Sequence, residues 1–230
     1  MEELINSTRR RLYPSLTDPN YLALRSRRLI FTSWANQFRG KNMTILDVGG
    51  RYQPYRPLFE GLYDHYFSVD LIKTRQVSVV ADAQNLPFPP SSFDLAIATQ
   101  VFEYFRDPHE AARRVYDVLR PGGVLLASFA ACTPRVVDEE NWRFTPSGFR
   151  LLLEPFATVE IVPELHSIAG LLRTVNLGLD TFVRYDMPRQ AYRRTICPVL
   201  NLVGLGLESM NLTDNDLFTT NFSVRATKAK

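Results

Sequence analysis

A pair of glycines and an acidic residue follow apolar segments that have the length of buried strands. Segment 43–48 leads directly into Gly49 and Gly50, and segment 65–70 ends at Asp70. Glycine lets the backbone approach a ligand closely, and a carboxylate can accept hydrogen bonds from both hydroxyls of a ribose. The acid lies about 20 residues after the glycines, a spacing typical of nucleoside crevices in open α/β sheets. These residues predict a nucleoside-cofactor site.

The turn after segment 43–48 has two interpretations. In the first, its N–H groups are free for a ligand and the positive end of a following helix lies behind them. Asp47 then either accepts backbone hydrogen bonds within the turn or faces a cationic group of the ligand. In the second, the glycine pair only makes a tight turn, and this signal alone does not separate the two.

Further polar residues follow two other strand candidates. Asp82 and Ala83 come after an apolar segment, and we expect them to bind the amino group and a ring nitrogen of an adenine, with Leu71 against the base. Segment 93–98 is followed by Gln100. The carboxyl ends of parallel strands meet at one edge of a sheet, so these residues should surround one crevice.

Strand candidates alternate with helical patterns through the middle of the chain. The helix candidate 108–119 is followed by the strand candidate 123–129. This alternation predicts a mostly parallel sheet with helices on both faces. Later in the chain we expect a short helix at 146–153 and strands at 158–162 and 218–226, the last with the alternating pattern of an edge strand.

The chain, at 230 residues, has the length of one α/β domain, and its pattern divides it into three parts. Residues 1–40 form a helical cap, residues 41–165 with 217–230 form the core, and residues 166–216 form an inserted helical segment. The cap contains a helix at 21–38, with Leu22, Leu29, Ile30, Trp34 and Phe38 on its apolar side. Its arginines, Arg27 among them, indicate either a solvated helix face or, alternatively, a lid or an anionic contact.

The inserted segment combines apolar runs with arginines at positions 184, 189, 193 and 194. It should cover the acceptor pocket. Its apolar runs either pack on the core or rest on an anionic membrane surface. No secretory signal begins the chain, and no window approaches about 18 consecutive apolar residues. We therefore expect a cytoplasmic protein, peripheral at the inner face of the membrane under the second alternative.

The motifs between residues 43 and 129 closely resemble class I S-adenosylmethionine-dependent methyltransferases of the type 11 branch. They are, in order, LDVGG, YFSVDL, ADAQNLPFPPSSFDLAIATQ, the pair Glu103–Tyr104, and LRPGG. Downstream, NWRFTP at 141–146 resembles an element of a subgroup that is often linked to glycan biosynthesis.

The resemblance implies a Rossmann-like sheet of seven strands in the order 3-2-1-4-5-7-6, with the last strand antiparallel. It implies S-adenosylmethionine as cofactor, with glycines under its methionine part, Asp70 at the ribose, Asp82 and Ala83 at the adenine, and Gln100 near the sulfonium. The predicted cofactor contacts are Asp47, Gly49, Gly50, Asp70, Leu71, Asp82, Ala83 and Gln100.

Two positions depart from the family pattern. Arg51 and Gln53 stand where the family's loop after the first strand carries further glycines. Arg51 could weaken cofactor binding or point outward to an anionic substrate. Tyr104 stands where a histidine commonly follows the acid, and its unperturbed pKa of about 10 makes it a poor base at neutral pH.

Methyl transfer from a sulfonium is an in-line displacement, so the protein mainly binds and aligns the reactants. A general base helps only where the acceptor is a hydroxyl or an ammonium. The predicted catalytic residues are Glu103, Tyr104 and His166, and the predicted acceptor contacts are Tyr52, Trp142 and Arg143. We predict a small-molecule or glycan-type acceptor and no metal.

Other functions stay open at this point. A non-catalytic cofactor-binding or scaffold module would keep the fold without the reaction. An NAD-dependent oxidoreductase would also use Asp70 on a ribose, although the loop lacks the G-x-G-x-x-G spacing. Nucleic acid is a less favoured partner, because the net charge is only +3 and no basic face is concentrated.

Overall fold

The computed structural model describes residues 8–134, 138–210 and 215–230. These residues contain one seven-stranded sheet. Its strands are β1 (Met43–Val48), β2 (Tyr63–Asp70), β3 (Val79–Val80), β4 (Phe93–Thr99), β5 (Leu119–Ala130), β6 (Thr158–Pro163) and β7 (Asn221–Thr227). The order is β3-β2-β1-β4-β5-β7-β6, and β7 is antiparallel to both of its neighbours. The predicted Rossmann-like sheet is confirmed.

Helices cover the sheet, and the last of them lie between β6 and β7. They are α1 (Tyr21–Asn36), α2 (Pro108–Val118), α3 (Pro146–Leu152), α4 (Ser167–Phe182), α5 (Asp186–Arg194) and α6 (Ile196–Ser209), and residues 8–12 are also helical. None of the helices in the described ranges is long and apolar enough to cross a bilayer.

The side chains of β1 show how both faces of the sheet are buried. Leu46 and Val48 pack in the apolar cluster that contains residues of α2 and α3, and Met43 and Ile45 pack in the cluster that contains residues of α1. Alternate side chains of a strand point to opposite faces, so an apolar run such as β1 is stable only between two layers. The prediction of helices on both faces is confirmed.

The last strand lies inside the sheet, and the prediction of an edge strand at 218–226 is wrong. β7 pairs with β5 on one side and β6 on the other, so β6 is the edge. Two polar residues of β7, Asn221 and Ser223, are buried as well, and Ser223 donates a hydrogen bond to Glu164 Oε1 at 2.9 Å. An alternating pattern therefore indicated a strand here without indicating an exposed face.

Helix α1 covers the sheet largely with the predicted side, because Leu22, Trp34 and Phe38 are buried, but Leu29 is an exception. Leu29 is 47% exposed, whereas Phe31 is fully buried. Arg27, which was expected on a solvated face or at an anionic contact, is buried and donates to both oxygens of Glu164, at 2.6 and 2.9 Å. The solvated interpretation is wrong for Arg27, because its partner is a carboxylate in the interior.

Helices α4 to α6 lie between β6 and β7, in the segment predicted as an insertion. The division into residues 1–40, 41–165 with 217–230, and 166–216 stays a prediction. Residues 1–7, 135–137 and 211–214, which fall within those parts, lie outside the described residues.

Candidate functional site

The glycine turn after β1 is closed by hydrogen bonds to β2. Gly49 N and Gly50 N both donate to Val69 O, at 2.8 and 3.2 Å. These N–H groups are not free for a ligand, and the prediction that they are is wrong. The expected helix behind them is also absent from this part of the chain, because Pro54 and Pro57 interrupt it and only the 3₁₀ turn 56–59 forms.

Close packing explains why glycines occupy this turn. Gly49 has a φ of +72°, and a Cβ there would lie 2.6 Å from Val101 Cγ2. A Cβ at Gly50 would lie 2.8 Å from Asp47 Cγ and 2.9 Å from Ser68 Cβ. The glycines therefore let the turn at the end of β1 pack closely against Val101, Asp47 and Ser68.

Asp47 lies beneath this turn and bonds to β2. It is 4% exposed and accepts a hydrogen bond from Tyr66 Oη at 2.7 Å. Burial raises the pKa of Asp47 to about 7, against the opposing effect of the Tyr66 hydrogen bond. The alternative in which Asp47 fixes the turn through backbone N–H groups is wrong, because those groups bond to Val69 O. Its contact with a ligand stays a prediction.

Asp70 ends β2 and is in contact with a cation. Arg51 Nη2 and Nε lie 3.3 and 3.4 Å from Asp70 Oδ1, and Ile72 N donates to the same oxygen at 2.8 Å. The ion-pair distances exceed the 2.7–2.9 Å typical of charge-assisted hydrogen bonds, and the Arg51 side chain is 34% exposed. Arg51 therefore covers one oxygen of the predicted ribose acceptor through a long, partly solvated contact.

Gln53 holds the loop after β1 in this position. It is buried with a φ of +44°, and its Nε2 donates to Ser68 Oγ at 2.9 Å and to Gln76 O at 2.6 Å. Its Oε1 accepts from Arg56 Nη1 at 2.9 Å. The family's glycine is thus replaced by a side chain that ties the loop to β2, a role that no pattern in the sequence signalled.

Asp82 lies beside Asp70 at the same edge of the sheet. Ala81 N donates to Asp70 O at 3.2 Å, which places the residues after β3 next to the end of β2. Asp82 accepts from Gln84 N at 2.9 Å and from Gln84 Nε2 at 3.0 and 3.1 Å. Gln84 Oε1 in turn accepts from Asp107 N at 2.7 Å. Gln84, which sequence reasoning missed, orients the acid proposed to meet an adenine.

The other predicted cofactor contacts lie around these acids. Leu71 follows Asp70 and is 69% exposed, and Ala83 is buried next to Asp82. Gln100 follows β4 with a φ of +49°, and its backbone N donates to Ser128 O at 2.9 Å. The ends of β1 to β4 therefore bring the predicted residues to one edge of the sheet.

Glu103 is a buried connector between the ends of β4 and β5. Its Oε1 accepts from Ala130 N, and its carbonyl oxygen accepts from Asn141 N at 2.7 Å and Trp142 N at 3.1 Å. Its Oε2 has no hydrogen-bond partner among the described residues. Burial raises the pKa of Glu103 to about 7, opposed by hydrogen bonds of the carboxyl group with the backbone of Glu103 itself and of Ala130. Glu103 thus holds residues 141 and 142 in place.

The other two predicted catalytic residues have separate partners. The Tyr104 hydroxyl lies 3.4 Å from Glu140 Oε1, and burial together with Glu140 raises its pKa, which further lowers the fraction that is ionised and able to act as a base at neutral pH. His166 lies at the start of α4, and its Nδ1 is 2.8 Å from Glu208 Oε1. β6, which precedes His166, is two strands beyond β5. The catalytic roles of both residues stay predictions.

Trp142 and Arg143 form a wall whose polar atoms hold the surrounding loops. Trp142 is 41% exposed, and its Nε1 donates to Phe105 O at 2.8 Å. Arg143 donates to Trp142 O at 2.9 Å and to Pro134 O at 3.3 Å, and it pairs with Glu140. The indole ring is partly exposed and lies nearly parallel to the ring of Phe144, with centroids 6.3 Å apart, while the guanidinium is largely committed to the protein.

Tyr52 is flanked by two cations at the mouth of the site. The Cζ atoms of Arg11 and Arg51 each lie 5.9 Å from the centroid of its ring. Thr8 Oγ1 donates to Tyr52 O at 3.0 Å. Burial lowers the pKa of Arg11. Residues 8–11 therefore reach the loop after β1, which favours the lid interpretation of the basic N-terminal part.

A second buried cation was missed by sequence reasoning. Arg173 on α4 is 6% exposed, and its Nη2 donates to Asn20 Oδ1 at 2.6 Å. Its Nε and Nη1 have no hydrogen-bond partner in the described ranges, and burial lowers its pKa to about 10. The sequence of this apolar helix does not indicate that its arginine points into the interior.

Residues 58–127 match a family model described as "Methyltransferase domain". The rat protein "Arginine-hydroxylase NDUFAF5, mitochondrial" is 26% identical over 45% of this chain and 31% of its own length. A "Probable S-adenosylmethionine-dependent methyltransferase" of Mycolicibacterium smegmatis is 35% identical over 41% of this chain and 34% of its own length. The matched part of the chain thus spans about a third of each of these relatives.

A solved structure shares the fold. The 1,6-didemethyltoxoflavin-N1-methyltransferase of Burkholderia thailandensis, solved with its substrate and S-adenosylhomocysteine, has a TM-score of 0.53 and 14% identity. The alignment covers 90% of this chain and 79% of that one. The resemblance to methyltransferases is confirmed by the family match, and the glycan-associated subgroup stays a prediction.

Proposed function

We propose that this protein is an S-adenosylmethionine-dependent methyltransferase. The observation that carries the proposal is the pair of carboxylates, Asp70 and Asp82, at the adjacent ends of β2 and β3. Both lie inside the residues matched by the methyltransferase family model. The S-adenosylhomocysteine bound to a protein of the same fold supports S-adenosylmethionine as the cofactor.

The residues at this edge fit the nucleoside part of the cofactor. Arg51 and Ile72 N share Asp70 Oδ1, and within the described residues no hydrogen bond reaches Asp70 Oδ2. That oxygen can accept from a ribose hydroxyl without any rearrangement. The exposed Leu71 side chain can cover one face of the base.

Arg51 opposes cofactor binding in this proposal. A ribose that uses both oxygens of Asp70 must replace the contacts of Arg51 with Oδ1. Because those contacts are long and the arginine is partly solvated, the replacement costs little. The displaced guanidinium would then lie beside Tyr52, where it can meet a negative group of the acceptor.

When bound, S-adenosylmethionine supplies an electrophilic methyl group on its sulfonium. The protein's part is to hold an acceptor in line with that methyl group and to exclude water. We assign Glu103 a positioning role, because it is 2% exposed and its hydrogen bonds fix Ala130, Asn141 and Trp142. A buried carboxyl with a pKa of about 7 can also hold a proton near neutral pH.

We propose a small-molecule or glycan-type acceptor. Trp142 and Tyr52 offer partly exposed aromatic rings on which a sugar or flat ring can stack, and Arg11 adds a cation at the mouth of the site. These features favour a polar or anionic acceptor that is bound by stacking.

Transfer of an isotopically labelled methyl group tests the proposal. Purified protein is incubated with methyl-labelled S-adenosylmethionine and with small-molecule and glycan fractions of a cell extract, and the products are identified by mass spectrometry. We expect label in at least one product with the wild type and with Asp117→Ala, an exposed acid on α2, and none with Asp70→Ala. No labelled product from any fraction would contradict catalysis.

A non-catalytic module with the same fold is the second candidate. The contact of Arg51 with Asp70 and the weak base Tyr104 favour it. Such a module would bind S-adenosylmethionine in calorimetry without producing labelled material. If the protein were an NAD-dependent oxidoreductase, it would bind NAD alone. An activity like that named for the rat relative would add oxygen and not a methyl group to a product.

A further inference from the structure

Helix α4 presents apolar side chains to solvent and polar side chains to the interior. Leu171, Val175 and Leu179 recur every four residues and are 47%, 42% and 41% exposed. On the opposite side, Asn176 and Asp180 are buried. A helix on the surface of a protein in water normally has the reverse arrangement.

Helix α6 repeats this arrangement beside α4. Val199 and Leu202 are 57% and 54% exposed, whereas Asn201 is fully buried. Asn201 Oδ1 accepts from Asn176 Nδ2 at 3.1 Å, and Asn201 Nδ2 donates to Leu16 O at 2.8 Å. The polar groups of the two helices are therefore satisfied inside the protein, and the outer side is left to apolar groups.

The outer side of the two helices carries no charge. Their ionisable residues are Arg173 and Asp180, which are buried, and Glu208, which binds His166. We call this side the apolar surface. It consists of Leu171, Val175, Leu179, Ile196, Val199, Leu202 and Val203.

The end of α4 and the chain between α4 and α6 add large exposed side chains and positive charge at one end of the apolar surface. Phe182, Tyr185 and Met187 are 86%, 71% and 84% exposed. Residues 184–194 contain four arginines and one aspartate. Aromatic rings and arginines next to an uncharged apolar face are typical of segments that lie at the boundary between lipid headgroups and acyl chains.

A basic cavity lies at the same end. It has a volume of about 450 Å³, and its lining includes Arg9, Arg10 and Arg193. Two of its lining residues contact the buried side of the helices, because Asn201 Nδ2 donates to Asp18 O at 3.0 Å and Arg193 bonds to Asp180, so the cavity lies on the inner side of α4 and α6. Asp18 pairs with Arg10 at 2.6 Å, and Arg193 donates to both oxygens of Asp180 at 2.5 and 2.7 Å, which leaves Arg9 as the lining arginine that suits a phosphate group.

We propose that the apolar surface and the exposed arginines Arg184 and Arg194 beside it bind a membrane that contains anionic lipids. The apolar surface faces the acyl chains, the exposed aromatic side chains lie among the headgroups, and the arginines meet lipid phosphates. The helices lie along the membrane and do not cross it, in agreement with their length. α4 follows β6, which runs parallel to β5, so α4 begins at the same edge of the sheet that holds the candidate site.

Vesicle flotation of the purified full chain tests this proposal. The vesicles contain phosphatidylcholine alone or phosphatidylcholine with roughly one quarter phosphatidylglycerol. We expect the chain to float with the anionic vesicles at low salt, and to bind neutral vesicles at least tenfold more weakly. No flotation with anionic vesicles at low salt would overturn the proposal.

Matched variants separate the two parts of the surface. Val199→Glu should lower binding at least tenfold by placing a charge in the acyl region, and Arg184→Glu with Arg194→Glu should remove the preference for anionic vesicles. Leu151→Glu on α3, where the native leucine is 58% exposed, should bind like the wild type. Each variant must show the thermal unfolding of the wild type, and equal flotation of all of them would contradict the assigned surface.

Light scattering after size exclusion distinguishes a second copy of the chain from a membrane. If the wild type is a dimer that Val199→Glu dissociates, and neither form floats, the apolar surface is an interface between copies and the membrane proposal is wrong. A wild type that floats, with the same mass in solution as Val199→Glu, supports the membrane.

Discussion

The ends of β1 to β4 and the helices α4 to α6 are built in opposite ways. In the strands, apolar residues such as Ile45 and Leu46 are fully buried and a polar residue such as Asp70 comes at the end. In the helices, Asn176 and Asn201 are buried and the apolar residues face outward. The first region offers polar atoms to a ligand, whereas the second leaves an apolar surface exposed to solvent, which we propose is covered by a membrane.

Buried charges form a junction between α1, the residue after β6, and α4. Arg27 on α1 pairs with Glu164 after β6, and Arg173 on α4 lies nearby, within reach of their charges. Buried ion pairs tolerate the loss of one partner poorly, since the other charge is then left without compensation. The junction should therefore respond to substitution more strongly than either region's outer surface.

The largest effect is expected at this junction. Glu164→Ala leaves the buried Arg27 guanidinium without its carboxylate, and we expect the free energy of unfolding to fall by about 3–5 kcal/mol. Urea unfolding followed by circular dichroism measures it. Asp117→Ala, which breaks an exposed pair on α2, should cost less than about 1 kcal/mol. Equal losses of stability in the two variants would show that the buried pair contributes no more to stability than the exposed pair.

A pH-dependent effect is expected beneath the glycine turn. Burial raises the pKa of Asp47 from 3.8 to about 7, so the folded state favours the protonated carboxyl. The protonated Asp47 carboxyl therefore contributes its full stabilisation of the folded state below about pH 4. This stabilisation falls as the pH rises towards 7, and above that pH it does not change further. Asp47→Asn should remove this fall, which is on the order of 2–4 kcal/mol.

Unfolding curves of the wild type and Asp47→Asn across this pH range measure the difference. Part of the slope should persist in the variant, because the pKa of Glu103 is raised in the same direction. Parallel curves for the two proteins would mean that Asp47 is ionised in the folded state and that its site is more solvated than the structure implies.

A smaller effect is expected at the entrance to the cofactor edge. Arg51→Ala frees Asp70 Oδ1, and we expect S-adenosylmethionine to bind a few-fold more tightly, by about 0.2–1 kcal/mol. Calorimetric titration measures the change. Arg120→Ala breaks a similar Arg–Asp pair with Asp94 elsewhere on the sheet and should leave the affinity unchanged. Weaker binding by Arg51→Ala would mean that the arginine contacts the cofactor.

The smallest effect on stability is expected on the apolar surface. Val199→Glu should change the free energy of unfolding by no more than about 0.5 kcal/mol, because the native side chain is 57% exposed. Ile97→Glu, at a buried position of β4, should prevent folding or cost several times more. A large loss in Val199→Glu would show that the outer side of α6 is covered within the protein itself.

The strands could be predicted from sequence because each has a consistent cause. Runs such as 43–48 and 93–98 are apolar on both sides, and this pattern fits only a strand between two layers. The position of Asp70 followed from the same reasoning. The start of α3 was also predicted, and Thr145 caps it by accepting from Gly148 N at 3.1 Å.

The contacts of the loop after β1 could not be predicted. Arg51 and Gln53 replace residues of the family pattern, and nothing in their type indicates that one binds Asp70 and the other turns inward with a positive φ. The orientation of α4 and α6 was equally hidden, because helices with almost no charged residues have no evident polar side. Only the packing of Asn176 against Asn201 decides which side is buried.

Calorimetric titration of S-adenosylmethionine into the wild type and Asp70→Ala tests the central claim most directly. The claim is that the carboxylate at the end of β2 holds the ribose of this cofactor. It predicts saturable binding to the wild type and at least a tenfold loss of affinity in Asp70→Ala, with unchanged thermal unfolding of the free protein. Absence of binding to the wild type, or equal affinity in the variant, would contradict it.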